Sequence, residues 1–215
     1  SVMAVAPPFQ VVECPRILLR RHGRESGRMR TEADMRPTDP AVRPQIPEFA
    51  EPYHGYVSAV PDGDVRVTLE REGERALSFY RRVTAERAGS SYAPGKWTVR
   101  GVLSHVTDSE RAFSYRALRF GRGDETPLAG FDQEVWAPNS HADERAWEDL
   151  LDEFRVVRAA TLHLVRSFAA ADWARTGVAS GFPVSVRALA WIAAGHELHH
   201  RRVLVERYGL APAGD

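Results

Sequence analysis

The sequence predicts an all-α protein: an antiparallel four-helix bundle preceded by an irregular, proline- and arginine-rich N-terminal arm. Apolar residues recur at three- and four-residue steps in four separate stretches, each bounded by capping or turn residues. No stretch shows the two-residue alternation that marks a convincing strand. Most of the 14 prolines fall at or before Pro61, where neither period is sustained. These observations divide the chain into an extended, partly mobile arm over residues 1–60 and a bundle over residues 61–210.

The first helix begins near Val67 and carries Leu69, Gly73, Ala76, Leu77, Tyr80 and Val83 on one side until Gly89 stops it. A turn at Ala93-Pro94-Gly95 follows. Thr98 then makes an N-cap for a second helix bearing Val99, Val102, Leu103, Val106, Phe113 and Phe120, which ends at Gly121-Arg122-Gly123. Residues 124–142 have little periodicity, and loops of that length in compact domains are usually functional or disordered. The third helix, with Trp147, Leu150, Leu151, Phe154, Val157, Thr161, Leu164 and Phe168 on its apolar face, ends near Ala170. After Gly177, Gly181 and Pro183, Ser185 caps a fourth helix whose stripe reads Val186, Leu189, Ala193, His196, His200 and Val203.

Composition excludes several functions. The 29 basic and 29 acidic residues cancel, so no net field draws the chain to nucleic acid or an anionic membrane. No run of about 18 apolar residues offers a membrane span. The apolar piece Val2–Val12 precedes the basic cluster Arg16, Arg20, Arg21 and Arg24, the reverse of a secretory signal's order, which gives a cytoplasmic expectation. The single cysteine, Cys14, rules out an intramolecular disulfide and cysteine-rich zinc modules.

The segment His196-Glu197-Leu198-His199-His200 is the most informative. Residues four apart stack on one helix face, so His196 and His200 present two imidazoles in the geometry of a bidentate metal site. Literally the five residues satisfy the zinc-protease signature H-E-x-x-H. The extended form of that signature requires Gly and His where Val203 and Glu206 stand, and no third ligand follows His200. Glu197, about 100° around the helix from His196, is expected on the exposed side. A third ligand is available in His105 of the second helix, provided helices two and four are neighbours; otherwise His105 is an ordinary hydrogen-bonded core histidine. His199 is expected to face a neighbouring helix or solvent. No nucleophile elbow surrounds Ser104.

Gly95-Lys96-Trp97-Thr98-Val99-Arg100 followed by His105, and Ser185-Val186-Arg187-Ala188-Leu189-Ala190-Trp191 leading to Gly195-His196 and His199-His200, resemble the DinB-like (YfiT-like) superfamily. The resemblance runs from about Gly63 to Tyr208, and the stretch Arg119 to Asp132 is similar to one subgroup's loop. It implies a four-helix bundle, commonly a homodimer, in which His105, His196 and His200 bind a divalent metal, zinc or nickel. It further implies action on a small molecule, by metal-dependent hydrolysis or by S-transfer with a low-molecular-weight thiol cosubstrate.

Three neutral imidazoles would leave a divalent ion its full charge and an open position, at which water or a thiol ionises near neutral pH. Hydrolysis also needs an acid or base, and the candidates are Asp108, one turn after His105, and Asp132 in the second loop. Either is equally readable as a surface or capping carboxylate, or as a partner that orients a histidine. Trp97, Trp136, Trp173 and Trp191 are core or pocket aromatics, and Arg119 and Arg187 are candidates to bind an anionic substrate, with solvated or salt-bridged roles expected instead. A non-catalytic, metal-stabilised or metal-sensing bundle is the alternative to an enzyme, and a carboxylate closing the metal's fourth position would favour it.

Overall fold

The computed structural model of the protein describes residues 39–211. Four long helices dominate: α2 (Val65–Arg81), α4 (Val99–Gly121), α6 (Trp147–Arg166) and α8 (Val186–Glu206). The expected caps of the second and fourth are in place, with Thr98 Oγ1 accepting from Gly101 N–H and Ser185 Oγ from Ala188 N–H. The first helix is shorter than its periodicity predicts. Asp64 caps its start, it ends at Arg81, and Thr84 caps a separate turn, α3 (Ala85–Ala88). Likewise α6 stops at Arg166, and α7 (Ala170–Trp173) continues after a break.

The bundle is square in section, α4 touching α8 and α6, and α2 touching α6 and α8. Helices α4 and α8 run antiparallel. Helices α4 and α6 run parallel, since Arg158 pairs with Glu110, Arg111 with Glu153, and Arg122 bonds Ser167. Parallel neighbours require a connection that returns the length of the bundle, about 35 Å for 23 residues. Residues 122–146 make that return, which gives the long loop a topological reason to exist. It is not structureless: α5 (Gln133–Asn139), capped by Asp132, lies along α4, and Thr98 Oγ1 donates to Asp143 at the far end.

Two strands that sequence periodicity missed, β1 (Thr176–Ala179) and β2 (Phe182–Ser185), form an antiparallel hairpin between α7 and α8. Each has four residues, too few for a visible alternation. Leu128 adds a parallel bridge to Ala179. Gly177 is required there, because a Cβ would meet the Phe120 ring at 2.2 Å.

Of the arm expected over residues 1–60, residues 1–38 lie outside the described residues. Residues 39–60 are part of the folded body, with Phe49, Tyr56, Val57 and Val60 buried in the core. Glu48 accepts from Ser185 Oγ at 2.9 Å and pairs with Arg187, Trp191 Nε1 donates to the Pro40 carbonyl, and the guanidinium of Arg43 covers Trp191. Prolines break periodicity without preventing packing, so the pattern hid this segment. Its short helix α1 (His54–Ala59) lies across α8 so closely that a Cβ on Gly195 would stand 2.0 Å from the Tyr56 carbonyl oxygen.

The core is two apolar clusters separated by a polar layer. One holds Leu69, Phe113, Val165 and the first half of α8; the other holds Ala76, Val102, Leu103, Phe154 and Leu204. Between them lie Glu72, His105, Glu110, Arg158, His196 and Glu197, all buried. Arg158 donates to both oxygens of Glu110 at 2.8 Å and to the Leu69 carbonyl at 3.0 Å, and Gly73 leaves it room. Among the described residues no helix is long and apolar enough to cross a membrane.

Gly195→Ala tests the α1–α8 contact. Backbone blocks the new methyl, so the substitution is expected to cost about 1–3 kcal/mol in denaturant unfolding. A neutral effect would show that α1 is not seated there.

Candidate metal centre

His105 stands on α4 where that helix crosses the last third of α8, and the antiparallel packing brings it against the gap between His196 and His200. His105 Nε2 and His200 Nε2 each lie 3.1 Å from His196 Nε2. The three ring nitrogens fall within 4.8 Å of one another and include no carboxylate. Of the alternatives for His105, the structure therefore selects the clustered one.

The arrangement fits a divalent ion better than it fits hydrogen bonding alone. A neutral imidazole Nε2 carries either one hydrogen or one lone pair, directed along a single line in the ring plane. His196 Nε2 faces two partners, so only one of its two contacts can be a well-formed hydrogen bond. Nitrogens bound about 2.0–2.1 Å from one zinc ion stand about 3.0–3.4 Å apart, which matches the observed spacing. Burial also keeps the rings in the ligating form: it lowers His105 to about 4 and drives His196 and His200 well below 6.5, with the neighbouring histidines adding to the effect.

Aromatic side chains enclose the cluster. Trp97 lies 5.0 Å from the His105 ring, Phe113 5.7 Å from His196, and Tyr56 of α1 stands edge-on to both His196 and His199 at 5.2 Å. His199, half-buried, faces α1 and lies 5.1 Å from His200. Tyr56 was invisible to spacing arguments because it belongs to the proline-rich segment.

Glu197 is not exposed, as its angle from His196 suggests. It is 1% accessible, because a 100° rotation leads towards Glu72 of α2 and Arg158 of α6 rather than to water, although Leu198, His199 and His200 beside it are part-exposed. Its carboxyl makes no hydrogen bond among the described residues, and Arg201 Nε approaches it at 3.4 Å. Burial pushes it up to about 7, against the pull of Arg201 and Arg158.

Neither proposed acid or base joins the cluster. Asp108 pairs with Arg111 at 3.0 Å, within a surface network that includes Glu153 and Arg145. Asp132 is exposed and caps α5 by accepting from Glu134 N–H. No hydrogen bond or ion pair connects either to a histidine of the centre. Among the other candidates, Trp173 and Trp191 are core, Trp136 is exposed and stacked on Phe131, Arg119 pairs with Asp124 and Arg187 with Glu48.

Residues 68–204 match the DinB superfamily. Among solved structures the chain is similar to YfiT from Bacillus subtilis, described as a probable metal-dependent hydrolase with an unusual four-helix bundle topology. The match has a TM-score of 0.61 and 18% identity, and covers 79% of this chain and 95% of that one. No curated protein matches the chain.

The lowered histidines set a pH dependence. Between about 4 and 6.5 the unfolded chain binds a proton at His105 that the folded metal-free protein does not, so stability rises with pH through that window and is lost as pH falls. Glu197 acts with the opposite sign between 4.5 and about 7, where the folded state holds the proton. With four lowered histidines, His105, His196, His199 and His200, against two raised carboxyls, Asp108 and Glu197, the metal-free protein is expected to weaken as pH drops from 6.5. His105→Phe should flatten the slope in denaturant midpoints measured across that range; an unchanged slope would place His105 in solvent.

Proposed function

The chain belongs to the DinB superfamily, and on that premise we propose that it is a metal-dependent enzyme whose divalent ion is held by His105, His196 and His200. The convergence of three neutral ring nitrogens, two from buried histidines and one from part-buried His200, with His196 Nε2 3.1 Å from each of the others and no carboxylate in the group, carries the reading. A three-ligand set leaves a coordination position for a reactant, whereas a structural centre is closed by a fourth protein ligand. Imidazole donors suit zinc and nickel alike.

When bound, such an ion supplies Lewis acidity sufficient to ionise a water or thiol near neutral pH and to polarise a substrate oxygen. The chain's own groups do the rest. Helices α4 and α8 fix the three rings, and Tyr56, Trp97 and Phe113 exclude bulk water and offer apolar walls to a small substrate. Hydrolysis of a small molecule is the leading reaction, in keeping with the description of the Bacillus subtilis neighbour. S-transfer from a low-molecular-weight thiol is the second reading. It is favoured because among the described residues no carboxylate joins the three-histidine cluster, and a thiol ionises more easily than water and needs less help from a base.

Protein purified without chelator is expected to carry, or take up on reconstitution, about one zinc or nickel per chain by elemental analysis. His196→Ala, still folded by circular dichroism, should weaken metal binding by more than the roughly 10–100-fold typical of losing an outer-shell partner. It should also abolish turnover in a panel of amides, esters and thiol conjugates. Failure to take up metal overturns the proposal, and metal uptake without turnover of any substrate favours the non-catalytic metal-stabilised bundle.

A further inference from the structure

The polar layer holds three buried carboxylates, Glu72, Glu110 and Glu197, and two of them are hydrogen-bonded to guanidinium groups. Glu110 accepts two bonds of 2.8 Å from Arg158. Glu72 accepts from Arg201 at 2.6 Å and, on its outer side, from Arg71 and Arg75. Glu197 is the exception. Neither of its oxygens makes a hydrogen bond among the described residues: Arg201 Nε stands 3.4 Å away without forming one, and the buried Tyr80 hydroxyl is equally unpartnered. An ionised carboxylate left in this way is costly in a core, and a neutral side chain of similar volume would avoid the cost.

The histidine half of the layer has the opposite deficit. His196 immediately precedes Glu197, with the two Cα atoms about 3.8 Å apart, and the cluster it forms with His105 and His200 contains no carboxylate. Three neutral imidazoles cancel none of a divalent ion's double charge, and an ion taken out of water without an opposite charge is costly. One half therefore holds an anion short of a cation, and the other a cation site short of an anion. Charges attract through a protein interior with far less screening than in water, so contact between them is not required. The angle of about 100° between the two side chains keeps Glu197 out of the ligand set while leaving it in the same layer.

We propose that Glu197 is the buried counter-charge of the metal centre, acting on the ion through space and favouring a divalent over a monovalent occupant. The inference rests on the metal reading above and adds to it a residue that is neither a ligand nor an acid or base. Because Coulomb attraction scales with the charge of the ion, removal of the carboxylate costs a divalent ion twice the free energy that it costs a monovalent one. A group that merely packs beside the histidines would affect both ions alike.

Calorimetric titration of chelator-treated, full-length wild type, Glu197→Gln and Glu197→Asp with zinc and with silver(I), in chloride-free buffer at about pH 8 where the carboxyl is ionised, tests it. Glu197→Gln is expected to bind zinc about tenfold or more weaker than wild type, and silver(I) weaker by about the square root of that factor. Glu197→Asp, which keeps the charge, should retain most of the zinc affinity. Folding of each variant is checked by circular dichroism; should Glu197→Gln unfold, Glu197→Met, which removes the charge together with the polar atoms, replaces it in the comparison. Wild type that takes up neither ion overturns the metal reading and this inference together. Wild type that binds zinc, with the folded neutral variant binding it as tightly, overturns this inference alone, as do equal losses for zinc and silver(I).

Discussion

The structure depends on a polar layer buried at mid-height between two apolar clusters. Every long helix contributes to it: Glu72 from α2, His105 and Glu110 from α4, Arg158 from α6, and His196 and Glu197 from α8. Groups of this kind are tolerated in a core where partners satisfy them, and Arg158–Glu110, Arg201–Glu72 and His105–His196 each join two helices, while the Glu197 carboxyl makes no hydrogen bond among the described residues. The layer therefore fixes the axial register of the four helices. Sliding one by a turn would strand Arg158 from Glu110, or His105 from His196.

The layer has two halves of different chemistry. On the α2–α6 side, guanidinium–carboxylate pairs close on themselves through Arg158–Glu110 and Arg201–Glu72. On the α4–α8 side, three neutral rings turn their nitrogens towards one another and do not close. Buried ion pairs contribute little net stability because desolvation offsets attraction, but breaking one is expensive, which suits a role in specificity of packing. On the proposed reading, the open half is where a divalent ion would complete the set.

The connections follow from the same arrangement. Parallel α4 and α6 require the long return over residues 122–146, and the turn from α6 to α8 at the other end is taken by α7 and the hairpin. That end places Ser180 and Phe182 beside Arg116. The segment before α2 then covers α8, and Tyr56 reaches the histidines from it. One wall of the histidine cluster, Tyr56, thus comes from a part of the chain with little periodicity, while Phe113 comes from the stripe of α4.

The sequence by itself determined the four long helices, their caps at Thr98 and Ser185, and the pairing of His196 and His200 on one helix face, because these rest on local rules: periodicity, capping chemistry and i, i+4 spacing. His105 was legible only as a candidate, since its worth depends on which helices are neighbours. Tertiary structure decided what spacing cannot carry: the parallel pairing of α4 and α6, the burial of Glu197, the packing of residues 39–60 and the hairpin. It also gave Asp108 and Asp132 other partners, Arg111 and the Glu134 N–H. A helical wheel gives the angle of a side chain but not what stands opposite, and on α8, where Glu197 faces α2 and α6, the angle alone points to the wrong environment.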